Sequence, residues 1–235
     1  LGKNLDIAQA KITRGFFFSS EIVLLRTTFS DYRIAVIRAT DFGMTRASAR
    51  TLCQKARALA CINASFFDES GKPLGLVVTR GMTLQNIHRG GKTLTGIFQI
   101  SRQAPSILNR ADFLPESVVE AIQAGPRLLS NGEKIPGLKE DTTPTRRTGV
   151  CIDSAQRVVF YLLDTGFLGI SLNALRDILL SDSVQCRDAL NLDGGGSAQL
   201  FIDNQIAKNS ALNAPILIEG TDDVPLVLGL FPRVQ

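Results

Sequence analysis

Short β-prone runs dominate the pattern of apolar and polar positions along the chain. Residues 15–18, 22–26 and 33–38 alternate with period two and are separated by turn formers, which predicts an antiparallel β-meander over the first 40 residues. Between residues 45 and 59 the period lengthens: Ala49, Leu52, Ala56 and Leu59 fall on one helical face, with Thr45 as N-cap. An apolar strand at 60–63 follows at once. A turn-rich loop at 68–73 separates it from strand patterns at 75–79 and 95–100. Residues 115–121 read as one or two helical turns and 122–124 as a strand. Residues 130–145, with Pro136, Gly137 and Pro144, read as a long polar loop of the kind that serves a site. Strands at 149–152 and 158–163 form a hairpin across an Asp-Ser-Ala-Gln turn. A helix capped by Ser171, with Leu172, Leu175, Ile178 and Leu179 on one stripe, precedes strands at 189–192, 199–203 and 226–231. Strands outnumber helices and most connections are too short for parallel crossovers. The fold class expected is therefore α+β: a mixed, mostly antiparallel β-sheet with a few packed α-helices.

The chain has 235 residues, no linker and no low-complexity segment, so one domain spanning 1–235 is expected. With 44% hydrophobic and 20% charged residues it can bury a core without staples. The net charge of +4 favours anions, but Lys and Arg are scattered rather than gathered into a stripe, and there is no Trp and only two Tyr. A nucleic-acid partner is not expected. The longest apolar runs, at 158–163 and 214–218, are strand-sized, so no membrane span is expected. The chain starts at Leu1 rather than Met, which suggests removal of a leader, anchor or tag and an exported, periplasmic or extracellular location. Cys53, Cys61, Cys151 and Cys186 lack the CxxC spacing of a zinc site and sit in or beside apolar segments. Buried free thiols are the default, with disulfides open to an exported protein.

The segment richest in chemistry is Asn191-Leu-Asp-Gly-Gly-Gly-Ser197, where an apolar strand runs into a carboxylate, three glycines and a hydroxyl. Three glycines in a row are entropically costly and suit a backbone that turns at positive φ or lies against a ligand. Their successive N–H groups can form an anion-binding nest. The loop lacks the Lys of a Walker motif and fits neither GxGxxG nor GxSxG, and the only histidine, His88, lies in a distant polar loop. Nucleotide binding and a Ser-His nucleophile are accordingly not indicated.

Five ordered blocks between about residues 60 and 230 make the chain resemble the phosphodiester glycosidase family. They are Cys61-Ile-Asn-Ala-Ser-Phe-Phe-Asp68 followed by Pro73 to Leu76; Ala124-Gly-Pro-Arg-Leu-Leu129 with Asn131-Gly132; Arg147-Thr-Gly-Val-Cys-Ile-Asp153; Asp164 ahead of the second helix; and Asn191 to Ser197. Ala64 and Ser65 stand where the family has a glycine pair, and Cys151 where it has a glycine. The resemblance implies cleavage between a sugar's anomeric carbon and a phosphodiester oxygen, releasing free sugar and leaving a phosphomonoester. The substrate partner is then a small or polymeric sugar phosphodiester.

Such a reaction needs positive charge and N–H donors around the departing phosphate and a carboxylate near the anomeric carbon. Asp193, at the end of a buried strand, is the leading catalytic carboxylate; Asp164 is the second, and Asp68 a third candidate that also suits a simple turn. Arg127 and Arg147 are candidates for a phosphate clamp, and strand alternation turns Arg146 to the opposite face as a solvated neighbour. Asn63, Thr148, Gly194, Gly195, Gly196 and Ser197 complete the expected substrate-binding set. No metal site and no required cofactor are expected, although oxygen ligands would suit calcium or magnesium. Two competing readings remain: a metal-dependent phosphodiesterase or phosphatase attacking phosphorus, and a noncatalytic module that binds glycan or phosphorylated polymer.

Overall fold

Among the described residues three sheets carry the molecule, and every strand pairing is antiparallel. The computed structural model describes residues 4–14, 18–138, 145–164, 170–207 and 216–233. The first sheet runs, edge to edge, through Leu5–Arg14, Phe18–Thr27, Val158–Asp164, Arg147–Asp153, Cys186–Asn191, Arg127–Ser130 and Glu133–Lys134. The second runs through Ile216–Ile218, Leu200–Ile202, Ala60–Asn63, Leu226–Pro232 and Tyr32–Arg38, and the third through Met82–Gln85, Val77–Thr79, Val118–Ala124, Gly96–Ser101 and Pro105–Asn109.

Alternation decides which face each strand buries. On the first sheet Val150, Ile152, Phe160, Leu162 and Leu190 point into a core shared with Ile62, Leu200 and Leu228 of the second sheet and Phe98 and Ile122 of the third. The opposite face, with Cys151, Val159, Tyr161, Leu163 and Ala189, packs under the helix Leu172–Leu180. The second sheet's outer face, with Cys61, Phe201 and Val227, packs under the helix Ala49–Ala56. Each layer therefore buries both faces, which is why so many strands read as continuous apolar runs.

Several boundaries differ from the sequence pattern for local reasons. The first helix begins after Ser48, whose side chain accepts the Thr51 N–H, rather than at Thr45. It cannot begin earlier, because the backbone of Ala47 is bonded in both directions to Val224. The segment predicted as helical turns at 115–121 instead enters the strand Val118–Ala124, the middle of the third sheet. β-branched Val118 and Val119 favour the strand, and the buried Glu120 accepts the Val36 N–H at 2.9 Å and the Arg80 N–H at 3.1 Å. The N-terminal meander is instead a hairpin, Leu5–Arg14 with Phe18–Thr27, and Tyr32–Arg38 departs to the second sheet. Of the strand expected at 15–18, residues 15–17 lie outside the described residues, as do 139–144 of the long polar loop.

The cysteines correct the expectation of free thiols. Cys53 pairs with Cys61, joining helix Ala49–Ala56 to strand Ala60–Asn63, and Cys151 pairs with Cys186 across neighbouring strands, with Cα atoms 5.7 and 5.9 Å apart. Only the fold brings these residues within bridging range.

Candidate active site

Strand ends from two sheets converge on Asp193. The strand Cys186–Asn191 pairs with Arg147–Asp153 as far as Asn191 opposite Gly149, and Leu192 adds one more bond, its N–H to the Thr148 carbonyl at 2.9 Å. At Asp193 the chain crosses to the second sheet, where its N–H meets the Ala64 carbonyl at 3.1 Å. The Asp193 carbonyl accepts Asn63 Nδ2 at 2.6 Å and Thr148 Oγ1 at 2.8 Å. Asn63 and Thr148 thus clamp the backbone of the acid from two sides. Beside them, the Ser65 hydroxyl is buried with no hydrogen-bond partner among the described residues.

The Asp193 carboxyl is pushed up to about 6. Burial is the main cause and the charge of Asp222 adds to it, while hydrogen bonds from the Ser197 hydroxyl and the Gly194 N–H oppose it. Asp222 comes from a polar loop 29 positions further along the chain. Its N–H donates to the Gly196 carbonyl at 3.1 Å, and its own carbonyl accepts Gln199 Nε2 at 2.6 Å. Gln199 is the tie that gathers this region: its N–H donates to Asn63 Oδ1 at 3.1 Å and its Oε1 accepts the Ala49 N–H, at the start of the first helix, at 2.8 Å.

The glycines are required by close approach. A Cβ on Gly194 would stand 2.8 Å from the Arg146 carbonyl, and one on Gly196 would stand 2.3 Å from Asp222 Oδ2. Between them Gly195 has φ of 62°. The loop is a tight 3₁₀ turn over Gly195–Ser197 rather than an open cradle. The Gly195, Ser197 and Ala198 N–H groups donate to the Arg146, Gly194 and Gly195 carbonyls, and the Gly194 N–H is taken by Asp193. Two of the three glycine amides expected to line an anion nest are therefore already used, that of Gly194 by Asp193 and that of Gly195 by Arg146.

Alternation separates the arginines. Arg147 is buried on the face shared with Tyr161, whose hydroxyl is raised by burial, an effect the Arg147 charge opposes. Arg146 lies on the other face, as expected, but it is not merely solvated. Its Nε and Nη2 each lie 3.2 Å from Asp164 Oδ2, its Nη1 donates to the Glu219 carbonyl at 2.5 Å, and its own carbonyl receives Gly195. Arg146 thereby ties Asp164, the glycine turn and the loop carrying Asp222 into one rim. Arg127 is directed elsewhere: paired in register with Leu190, it reaches back along the strand to Asp188 at 3.3 Å and Ser130 at 2.7 Å, away from Asp193. Asp68 is closed within its own loop, its Oδ1 accepting the Ser70 N–H and hydroxyl and the Lys72 N–H. The Ser70 hydroxyl and then the Lys72 N–H hold its carboxyl below the usual value.

Comparison with known proteins gives this convergence a family. The model of the phosphodiester glycosidases matches residues 56–231, three quarters of the chain. The chain belongs to the phosphodiester glycosidase family. As a phosphodiester glycosidase relative it is a glycosidase-type hydrolase. Its fold is similar to that of the zebrafish N-acetylglucosamine-1-phosphodiester alpha-N-acetylglucosaminidase catalytic domain auto-inhibited by a pro-peptide, at 18% identity and a TM-score of 0.72, covering 97% of this chain and 83% of that one. A hypothetical protein from Synechocystis has the same fold at 16% identity and a TM-score of 0.63, with 98% and 62% covered. A putative exported protein from Burkholderia pseudomallei follows at 12% and 0.60, with 92% and 74% covered. No curated protein sequence matches the chain. Within the family match fall Asn63, Arg147, Thr148, Asp164 and the whole Asp193 turn, and also Asp222, Gln199 and Arg146, which the sequence pattern passed over. Asp222 sits in Glu219-Gly-Thr-Asp-Asp223, which reads as an ordinary polar loop, so only the downstream strand at 226–231 hinted that it returned to the sheet.

Proposed function

We propose that this phosphodiester glycosidase relative hydrolyses a sugar-1-phosphodiester at the anomeric carbon, giving free sugar and a phosphomonoester. The observation that carries the reading is Asp193: a carboxylate buried enough to be pushed up to about 6, clamped through its backbone by Asn63 and Thr148, at the point where strand ends from two sheets meet. The departing phosphate is a good leaving group and needs little protonation, so the demand falls on stabilising positive charge at the anomeric carbon. Above pH 6 Asp193 is ionised and serves that role. The Ser197 hydroxyl holds the carboxylate in place, while Arg147, buried on the opposite face beside Tyr161, supports the strand rather than the phosphate. Arg146 and Asp164 brace the rim, Arg127 supports the strand through Asp188, and Asp68 shapes the adjoining loop.

Hydrolysis in ¹⁸O-labelled water tests the reading. Label in the sugar hydroxyl supports attack at the anomeric carbon, whereas label in the phosphate supports a metal-assisted attack at phosphorus. A panel of sugar-1-phosphodiesters that all bind and none of which turns over would leave a binding module instead. The reaction as proposed needs no resident metal, so EDTA leaves the rate unchanged. Export from the cytoplasm is part of the proposal, supported by the two disulfides, which persist in oxidising compartments.

A further inference from the structure

Two carboxylates are tied to the turn that follows Asp193, Asp222 directly and Asp164 through Arg146, and their surroundings differ. Asp164 has a cation on it, Arg146, in two contacts of 3.2 Å. Asp222 is exposed and forms no ion pair among the described residues; its side-chain partner is the Thr221 hydroxyl at 3.3 Å. Three separate features hold it against the glycine turn. Its N–H is bonded to Gly196 and its carbonyl to Gln199. Gly196 presents no side chain, leaving the space where a Cβ would strike Asp222 Oδ2 at 2.3 Å. Gly220 makes a similar allowance, since a Cβ there would come within 2.2 Å of the Gly196 carbonyl. The loop and the turn therefore fit together only because both are glycine at the contact. The fit places the Asp222 charge where it is felt by Asp193.

We propose that Asp222 is the second catalytic carboxylate of the site, the base that takes a proton from the attacking water, with Asp164 serving through Arg146 as a positioning residue. This rests on the reaction proposed above. In the step, the water oxygen forms a bond to the anomeric carbon and its proton passes to the Asp222 carboxylate. The bond from the anomeric carbon to the phosphate oxygen breaks, its electron pair staying on that oxygen, so the diester monoanion departs as a phosphomonoester dianion. Asp193, ionised, faces the positive charge that develops at the anomeric carbon. The two acids thus divide the work that glycosidases generally assign to a carboxylate pair.

The test begins with the parent protein on a sugar-1-phosphodiester it turns over; if none is hydrolysed, the reaction itself has failed before Asp222 is in question. On an active substrate, Asp222→Asn is expected to lower kcat by about 10²–10⁴-fold, the range for loss of a general base, with unchanged circular dichroism. Azide, a nucleophile with no proton to lose, is expected to restore turnover in Asp222→Asn and to yield the glycosyl azide, and not to restore Asp193→Asn. Gly196→Ala, which displaces the Asp222 carboxylate without removing it, is expected to lose at least tenfold in kcat, and Asp164→Asn to lose less than Asp222→Asn. An Asp222→Asn variant within threefold of the parent rate, or one that is inactive and unmoved by azide, would overturn the assignment.

Discussion

Asp193 and Glu120 are both carboxyls raised by burial, one at the junction of the first two sheets and the other between the second and third. Their surroundings make them opposites. Both Glu120 oxygens are occupied by the chain's own amides, those of Val36 and Arg80, and the Thr79 hydroxyl adds a further bond. Asp193 is held mainly through its backbone, keeps one hydroxyl and one amide on its carboxylate, and shares its space with another acid. A raised carboxyl therefore marks burial, not function; what separates the two is that Asp193 stands at a junction of strand ends beside a second acid, Asp222, whereas the charge acting on Glu120 is the Arg80 cation. Asp153 makes the same point: wholly buried, it is saturated by Arg26, Arg157 and the amides of its own hairpin turn.

The largest effect that would break the contrast is on turnover. Asp193→Asn is expected to lower kcat by about 10³-fold or more while raising stability at pH 7 by on the order of 2 kcal/mol, because a penalised buried charge is removed. The folded state holds the Asp193 proton between the ordinary value of 3.8 and about 6. Its favourable contribution is complete below that window and lost as pH rises through it, so the variant's gain in urea unfolding is full at pH 7 and absent below pH 4. The activity of the parent is expected to fall with acid around pH 6. A variant that is no more stable at pH 7 would show that Asp193 carries no such burden.

Next in size are the bridges behind each site-bearing sheet. Loss of Cys151–Cys186, which closes 35 residues, is expected to cost about 4 kcal/mol, and loss of Cys53–Cys61, which closes 8, about 2.5 kcal/mol. Denaturation of the paired Ser variants measures both, and a reversed order would mean that native packing outweighs loop closure. Glu120→Ala follows at about 2 kcal/mol, since two amides lose their acceptor, with kcat of the folded fraction unchanged. Glu120→Gln stays within about 1 kcal/mol of the parent. A fall in kcat in either variant would erase the distinction between the two acids. The smallest effect sharpens the picture beside Asp193: Ser65→Ala, which removes a buried hydroxyl lacking a partner among the described residues, is expected to stabilise by about 1 kcal/mol in thermal unfolding.

Much of the site was legible wherever neighbours along the chain carry the signal. Asn191 to Ser197 announced a strand running into a turn with an acid at its head, and alternation correctly set Arg146 and Arg147 on opposite faces. The hairpin at 153–157 and the cap at Ser171 were readable for the same reason, since their bonds span two to four residues. Only the end of Val118–Ala124, residues 122–124, was legible as strand; residues 118–121 were missed because a strand entered through a turn at Pro115 has no long alternation to betray it, and its inward Glu120 looks like a surface residue until Val36 is seen opposite. The nest of glycine amides was overestimated because whether an amide is free depends on what faces it, and here Arg146 does.

What the order of residues determined by itself is the family, the antiparallel α+β plan and the strand that runs through Asp193 into a glycine turn, all written in short-range periodicity and contiguous motifs. The tertiary structure alone decided which acid stands beside Asp193, which arginine braces the rim and which cysteines join. Asp222, Gln199 and Arg146 are far from one another in sequence and meet only because three strand ends and a loop are drawn together over a common core. Such meetings depend on packing between sheets, and no local pattern encodes them.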